Sequence, residues 1–180
     1  TRIHQWLKNL LLFVPLLAAH QIGNAQSLGL LVIAFFSYSL CASSVYITND
    51  LLDLESDRSH PRKRFRPFAS AKLAVLHGLI AAPLLIVASF ILGAIVGLDF
   101  LVVLLVYFLL TVTYSFSLKR LVLVDCLTLA TLYTMRIIAG AAAASISLSF
   151  WLLAFSIFIF LSLALVKRYA ELLVQLKEGK

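Results

Sequence analysis

No Asp, Glu, Lys or Arg occurs between Lys8 and Asp50, between Lys72 and Asp99, or between Arg136 and Lys167. A helix needs about 20 consecutive apolar residues to cross the hydrocarbon layer of a bilayer. Backbone groups in that layer must be satisfied within the segment, so runs this long restrict the chain to spanning helices. Composition agrees. With 62% hydrophobic residues and a mean hydropathy of +1.03, the 180 residues cannot supply the polar surface of a soluble domain. The expected fold is all-α, a polytopic transmembrane helical bundle forming a single domain over residues 1–180. Apolar spans fall at about 9–22, 28–48, 73–97, 99–117, 121–143 and 149–166, the first short and partly interfacial. Cys41 and Cys126 each sit inside an apolar run and read as small buried hydrophobes, with neither disulfide nor metal-site spacing.

The net charge of +7 could suggest a nucleic-acid partner, but the placement of the cations argues otherwise. If six spans cross in alternation, fourteen of the fifteen Lys and Arg fall at one end of the bundle, and Arg136 alone lies within a span. By the positive-inside rule that end is cytoplasmic, with the N-terminus inside. The partner implied is a bilayer, expected to be a bacterial inner membrane, and no nucleic acid is expected.

The stretch "YITNDLLDLESDRSHPRKRFRP", residues 46–67, breaks the apolar pattern. It holds four of the eight acidic residues within eight positions, followed closely by five Arg and Lys. The second span runs into it without a break signal, which predicts a helix through about residue 57. At about 100° per residue, Asp50, Asp53 and Asp57 share an arc of about 60°, and Asn49 flanks it. Oxygen-only ligands on one helix face suit Mg²⁺, which binds through one or two carboxylates, waters and substrate phosphates. The following "RKRFR", with Arg62 and Arg66, offers donors for phosphate oxygens. The same basic run also serves as an ordinary topology determinant.

"NDLLDLESD" fits an NDxxDxxxD pattern, and the stretch as a whole resembles the UbiA superfamily of intramembrane prenyltransferases. The resemblance implies that Asp50, Asp53 and Asp57 bind Mg²⁺ and the donor diphosphate as catalytic carboxylates, with Asn49 at the substrate site. It also implies a nine-helix fold, so the six spans counted here are expected to be part of a longer protein. "YSFSLK" at 114–119 resembles the family's YxxxK-type element with one extra residue, which brings in Tyr114 and Lys119 as diphosphate contacts. An interfacial aromatic anchor followed by a topology charge fits the same residues.

Asp125 and Arg136 lie eleven residues apart on one helix face, about 16 Å along the axis, too far for a direct ion pair. A charge such as Arg136 at mid-bilayer must face the protein interior and commonly marks function, although a buried structural partner is an alternative. Lys167 and Arg168 in "KRYAE" return the chain to the basic end. The family's second aspartate motif, DxxxD, does not occur in that form.

"RIHQWLKNLLLFVPLLAAH", "SDRSHPRKRFRP", "LYTMRIIAGA" and "LALVKRYAEL" together are similar to the branch of that family whose donor is phosphoribosyl pyrophosphate and whose acceptor is a polyprenyl phosphate. On that resemblance Gln5, Trp6, Lys8 and Asn9 line the site. The expected function is a Mg²⁺-dependent membrane transferase acting on a diphosphate donor and a polyprenyl lipid, with phosphoribosyl transfer preferred. An aromatic polyprenyltransferase acting on a 4-hydroxybenzoate-type acceptor is the alternative. A secondary transporter is the rival from another class, disfavoured because the charges cluster at one edge rather than at the midplane.

Overall fold

The computed structural model describes residues 3–61, 63–116 and 122–177; Arg62 and Lys119 lie outside them. The chain begins as a 3-10 helix, Ile3–Phe13, that passes directly into α1 (Val14–Ala18). Pro15 stands in the first turn of α1, where a missing N–H costs nothing. After a turn, Asn24 caps α2 (Ala25–Leu52), its Oδ1 accepting from the backbone N–H groups of Gln26 and Ser27 at 3.1 and 3.2 Å. At about 1.5 Å per residue α2 is about 42 Å long and exceeds the hydrocarbon thickness, so its acidic end stands clear of the apolar layer.

The continuous helix expected through residue 57 is interrupted at Asp53, where φ and ψ are −90° and 12°. Asp53 closes α2 and opens α3 (Leu54–Ser59). The interruption is slight. The Asp53 N–H still donates to the Asn49 carbonyl at 3.0 Å, and the Asp57 N–H to the Asp53 carbonyl at 2.8 Å. The helical register therefore carries across the break.

After a short 3-10 turn at Lys63–Phe65, α4 (Val75–Val96) and α5 (Leu98–Phe116) are joined by Gly97 alone. Its φ of 142° is a conformation that side-chain-bearing residues avoid, which permits so tight a reversal. Then come α6 (Val122–Ala143) and α7 (Phe150–Lys177).

Five of these helices, α2, α4, α5, α6 and α7, are long and apolar enough to cross a bilayer, one fewer than the six expected spans. The difference lies at 9–22. There the apolar segment starts earlier, at Ile3, and much of it is 3-10 rather than α-helical. A 3-10 helix rises about 2.0 Å per residue, so Ile3–Ala18 reaches about 30 Å with too few residues for an α-helical span. Lys8, expected ahead of the first span, lies within this segment.

Long helices that follow one another in the chain run antiparallel. The Ser37 hydroxyl donates to the Ser89 carbonyl and the Ser89 hydroxyl to the Ser37 carbonyl, at 2.8 and 2.7 Å, while Ser44 donates to the Ala82 carbonyl at 2.7 Å. These contacts clasp α2 to α4 through small residues that satisfy their hydroxyls across the interface. In its apolar window α6 is 67% buried, against 17% for α4 and 11% for α7, so α6 is the inner post. The N-terminal segment lies on it backbone to backbone. A Cβ placed on Gly140 would collide with the Leu12 carbonyl group.

Candidate active site

The inner face of α6 carries Arg136, 5% exposed. Its Nε–H donates to Asn9 Oδ1 at 3.0 Å, Nη1 to the Leu132 carbonyl at 2.5 Å and Nη2 to the Tyr107 hydroxyl at 3.4 Å. Asn9 is fixed in turn, its Nδ2 donating to Ser39 Oγ at 2.9 Å. Three rings surround the guanidinium, with Cζ 5.7, 5.5 and 5.1 Å from the centroids of Tyr38, Tyr107 and Tyr133. Ring faces attract a desolvated cation, each by up to about 2 kcal/mol, which offsets part of the cost of burial. Among the described residues, the groups that meet Arg136 are nevertheless all neutral.

Arg136 opens onto a cavity of about 400 Å³. α2 contributes Ala42, Val45, Tyr46 and Asn49, which repeat at helical spacing down one face. Leu132, Phe160 and Leu163 supply apolar wall, and Tyr133 stacks on Phe160 with centroids 5.2 Å apart. Lys8 Nζ lies 5.6 Å from the Tyr133 ring on which Arg136 also rests. Among the described residues the lining includes three cations, Lys8, Arg136 and Lys167, and no carboxylate.

The acidic edge adjoins this cavity. Arg66 Nη1 donates to Asp57 Oδ2 at 2.6 Å and to Asp50 Oδ1 at 3.2 Å, bridging the two carboxylates. Asp57 is 1% exposed, and its other oxygen, Oδ1, is buried without a hydrogen-bond partner, as is Asn49 Oδ1. No group of three or more His, Cys, Asp or Glu side chains close enough to share a metal ion occurs among the described residues. A paired carboxylate set with an unsatisfied buried oxygen, already neutralised by a cation, still fits Mg²⁺, because that ion takes only one or two carboxylates and completes its shell with waters and phosphate oxygens.

The expected site residues thus separate into two adjoining groups. Lys8, Asn49, Tyr114, Arg136 and Lys167 share the basic cavity. Asp50, Asp57 and Arg66 form the ion-paired cluster, and Asp50 also lines a mostly apolar cavity of about 430 Å³ with Phe68 and His77 against α4. Asp53, half-buried at the helix break, follows Asn49 by one turn and lies between the two groups in helical register. Arg168 is half-buried on α7 and does not line the basic cavity. The Tyr114 hydroxyl donates to Asp125 Oδ1 at 2.5 Å, which ties α5 to α6 near the basic end.

The tyrosines around Arg136 are the residues that sequence reasoning passed over. Tyr38 and Tyr107 sit in the middle of their helices, away from the interfaces where tyrosine ordinarily anchors a span. A hydroxyl at that depth is costly without a polar partner, and this was the signal available; the Tyr107 hydroxyl meets Arg136, while that of Tyr38 is buried without a hydrogen-bond partner.

Comparison with known proteins agrees with the geometry. Residues 10–174 match the UbiA prenyltransferase family. The chain is 41% identical over 99% of its length to nodulation protein NoeC of Azorhizobium caulinodans, covering 58% of that protein. It is 37% identical over 99% of its length to the decaprenyl-phosphate phosphoribosyltransferase of Mycolicibacterium smegmatis, covering 57% of it. Similarity to an uncharacterized protein of Sinorhizobium fredii reaches 39% over 94% of the chain and covers 33% of that relative. The chain therefore spans between a third and three-fifths of the length of these relatives. Matched over nearly its whole length, this helical chain belongs to the UbiA prenyltransferase family.

Proposed function

We propose that the full-length protein is a Mg²⁺-dependent transferase that moves a phosphoribosyl group from phosphoribosyl pyrophosphate onto a polyprenyl phosphate. The observation that carries this reading is the 37% identity, over 99% of the chain, to a relative named for that reaction. The cavity's three cations, with no carboxylate among its described lining, support it, since two phosphorylated substrates bring more negative charge than one.

Asp50, Asp53 and Asp57 would hold the metal, with Asn49 Oδ1 close at hand. A bound Mg²⁺ would supply neutralisation of the charge that develops on the leaving pyrophosphate. The chain's own work is to hold and align. Arg66, released from the carboxylates, and the basic loop containing Arg62 offer forked donors to the phosphates. Tyr114, held by Asp125, lies at the same end as Lys167, and the resemblance adds Lys119 as a further diphosphate contact. As the ribose C1–oxygen bond to pyrophosphate breaks, a phosphate oxygen of the lipid forms the new bond to C1. Pyrophosphate leaves with the electron pair, and the apolar walls keep water from the electrophilic carbon. The basic end, with Arg58, Lys63, Arg64, Arg66 and Lys72 beside Lys167 and Arg168, faces the cytoplasm of a bacterial inner membrane under the positive-inside rule.

The test offers the full-length protein, with Mg²⁺, two substrate pairs. One is phosphoribosyl pyrophosphate with polyprenyl phosphate, the other polyprenyl diphosphate with 4-hydroxybenzoate. A phosphoribosylated lipid from the first pair is the expected product. Product from the second pair alone would replace this reading with an aromatic prenyltransferase.

A further inference from the structure

Arg136 and the acidic edge answer to different chemistry. A diphosphate that arrives with a metal ion has its charge largely compensated and belongs beside carboxylates. The basic cavity has cations without carboxylates among its described lining, so an anion held at its inner end, by Arg136 and Lys8 and away from the acidic edge, comes without a metal. At about 1.5 Å per residue, Arg136 lies about 20 Å along α6 from its basic end, deep in the apolar layer. Asn49, at the other end of the cavity, is eleven residues along α2 from Tyr38, whose ring packs beside the guanidinium, a separation of about 16 Å.

Resting on the reaction proposed above, we propose that Arg136, with Lys8, forms a metal-free anion subsite that holds the phosphate monoester head of the lipid acceptor and selects it over the unphosphorylated alcohol. Three observations converge. Arg136 and Lys8 approach one neutral ring, Tyr133, a repulsive arrangement that a shared anion would relieve. The three hydrogen bonds of Arg136 use three of the five N–H donors of a guanidinium, which leaves two. The walls beside the two cations are those of a lipid site, with Leu132, Phe160 and Leu163 on α6 and α7. Asn9 and Ser39 hold the guanidinium from behind, so its orientation does not depend on the ligand.

The experiment measures equilibrium binding of radiolabelled polyprenyl phosphate, and of polyprenol of equal chain length, to the full-length protein in nanodiscs. Mg²⁺ and donor are left out, so that the result is independent of the transfer reaction. Removing one partner of a buried, hydrogen-bonded charge pair commonly costs 2–5 kcal/mol, a factor of about 30 or more in affinity. The wild type should bind the phosphate at least about 30-fold more tightly than the alcohol. Arg136→Gln should bring that ratio to within about threefold, and Arg136→Lys should restore part of it. Lys8→Met, which changes a cavity wall rather than the packed core, should lower the ratio in the same direction if Arg136→Gln fails to fold. Equal loss of both lipids in Arg136→Gln would make Arg136 a scaffold residue and overturn the proposal. An unchanged ratio in Lys8→Met, or Arg136-dependent binding of 4-hydroxybenzoate with no preference for the lipid phosphate, would overturn it as well. If the phosphate preference holds while phosphoribosyl pyrophosphate is not turned over, the proposed reaction fails and the anion subsite stands.

Discussion

Arg66 is the residue on which the acidic edge turns. Its guanidinium stands between Asp50 and Asp57, where a divalent ion would otherwise offset their repulsion. Breaking a buried ion pair from one side can cost about 3–5 kcal/mol, and with the Arg66 side chain 26% exposed a loss of about 1–3 kcal/mol is expected for Arg66→Gln. Thermal unfolding in detergent checks this. The variant's midpoint should fall without Mg²⁺ and recover more than the wild type's when millimolar Mg²⁺ is added. Equal recovery in both proteins would mean that Arg66 does not occupy the ion's place. Asp53 calls for a different measurement, because it ends one helix and begins the next. Asp53→Asn preserves shape and should leave the midpoint nearly unchanged while lowering turnover by about 100-fold or more, the scale of losing a key electrostatic contact.

Among the elements, the N-terminal segment and α6 decide the geometry of the basic cavity. They approach so closely at Gly140 that even one methyl group meets the Leu12 carbonyl. Three residues before Leu12, Asn9 holds Arg136. Gly140→Ala should therefore act at a distance. It pushes the segment outward, costs about 1–3 kcal/mol as overpacking does, and loosens Arg136. Unfolding midpoint and lipid KM, measured together on the full-length protein, should both worsen. The Ser37–Ser89 clasp lies on the opposite face of α2, away from both groups of site residues. Ser37→Ala should cost about 0.6 kcal/mol, the average for interhelical hydrogen bonds in membranes, with turnover kept.

At the scale of the whole molecule, alternation of the spans places the acidic motif and the end of α7 at one end, which the orientation proposed above from the positive-inside rule turns to the cytoplasm. Both native cysteines are buried, so a single introduced thiol can report sidedness against a quiet background. His60→Cys, in the exposed loop after α3, should react with an impermeant maleimide only in inside-out vesicles. Gln21→Cys, exposed in the turn before α2, should react only in right-side-out vesicles or intact spheroplasts. The reverse pattern would invert the assigned orientation.

The fold class and the positions of the five long helices were legible in the sequence because hydrocarbon admits few backbone solutions, and uncharged runs of the necessary length record them directly. The acidic motif was legible because carboxylates are rare in such a chain and repeat here at helical spacing. Three matters required the tertiary structure. Local spacing cannot register a break at one residue, so Asp53 appeared to lie within a continuous helix. The N-terminal segment counts in the sequence as a short, partly interfacial span at 9–22, because residue count measures length only once the helix type and its rise per residue are known. The surroundings of Arg136 come from the N-terminal segment, α2, α5 and α6. Asn9 and Arg136 are separated by 127 residues in sequence, and only the packing of the N-terminal segment against α6 makes them neighbours.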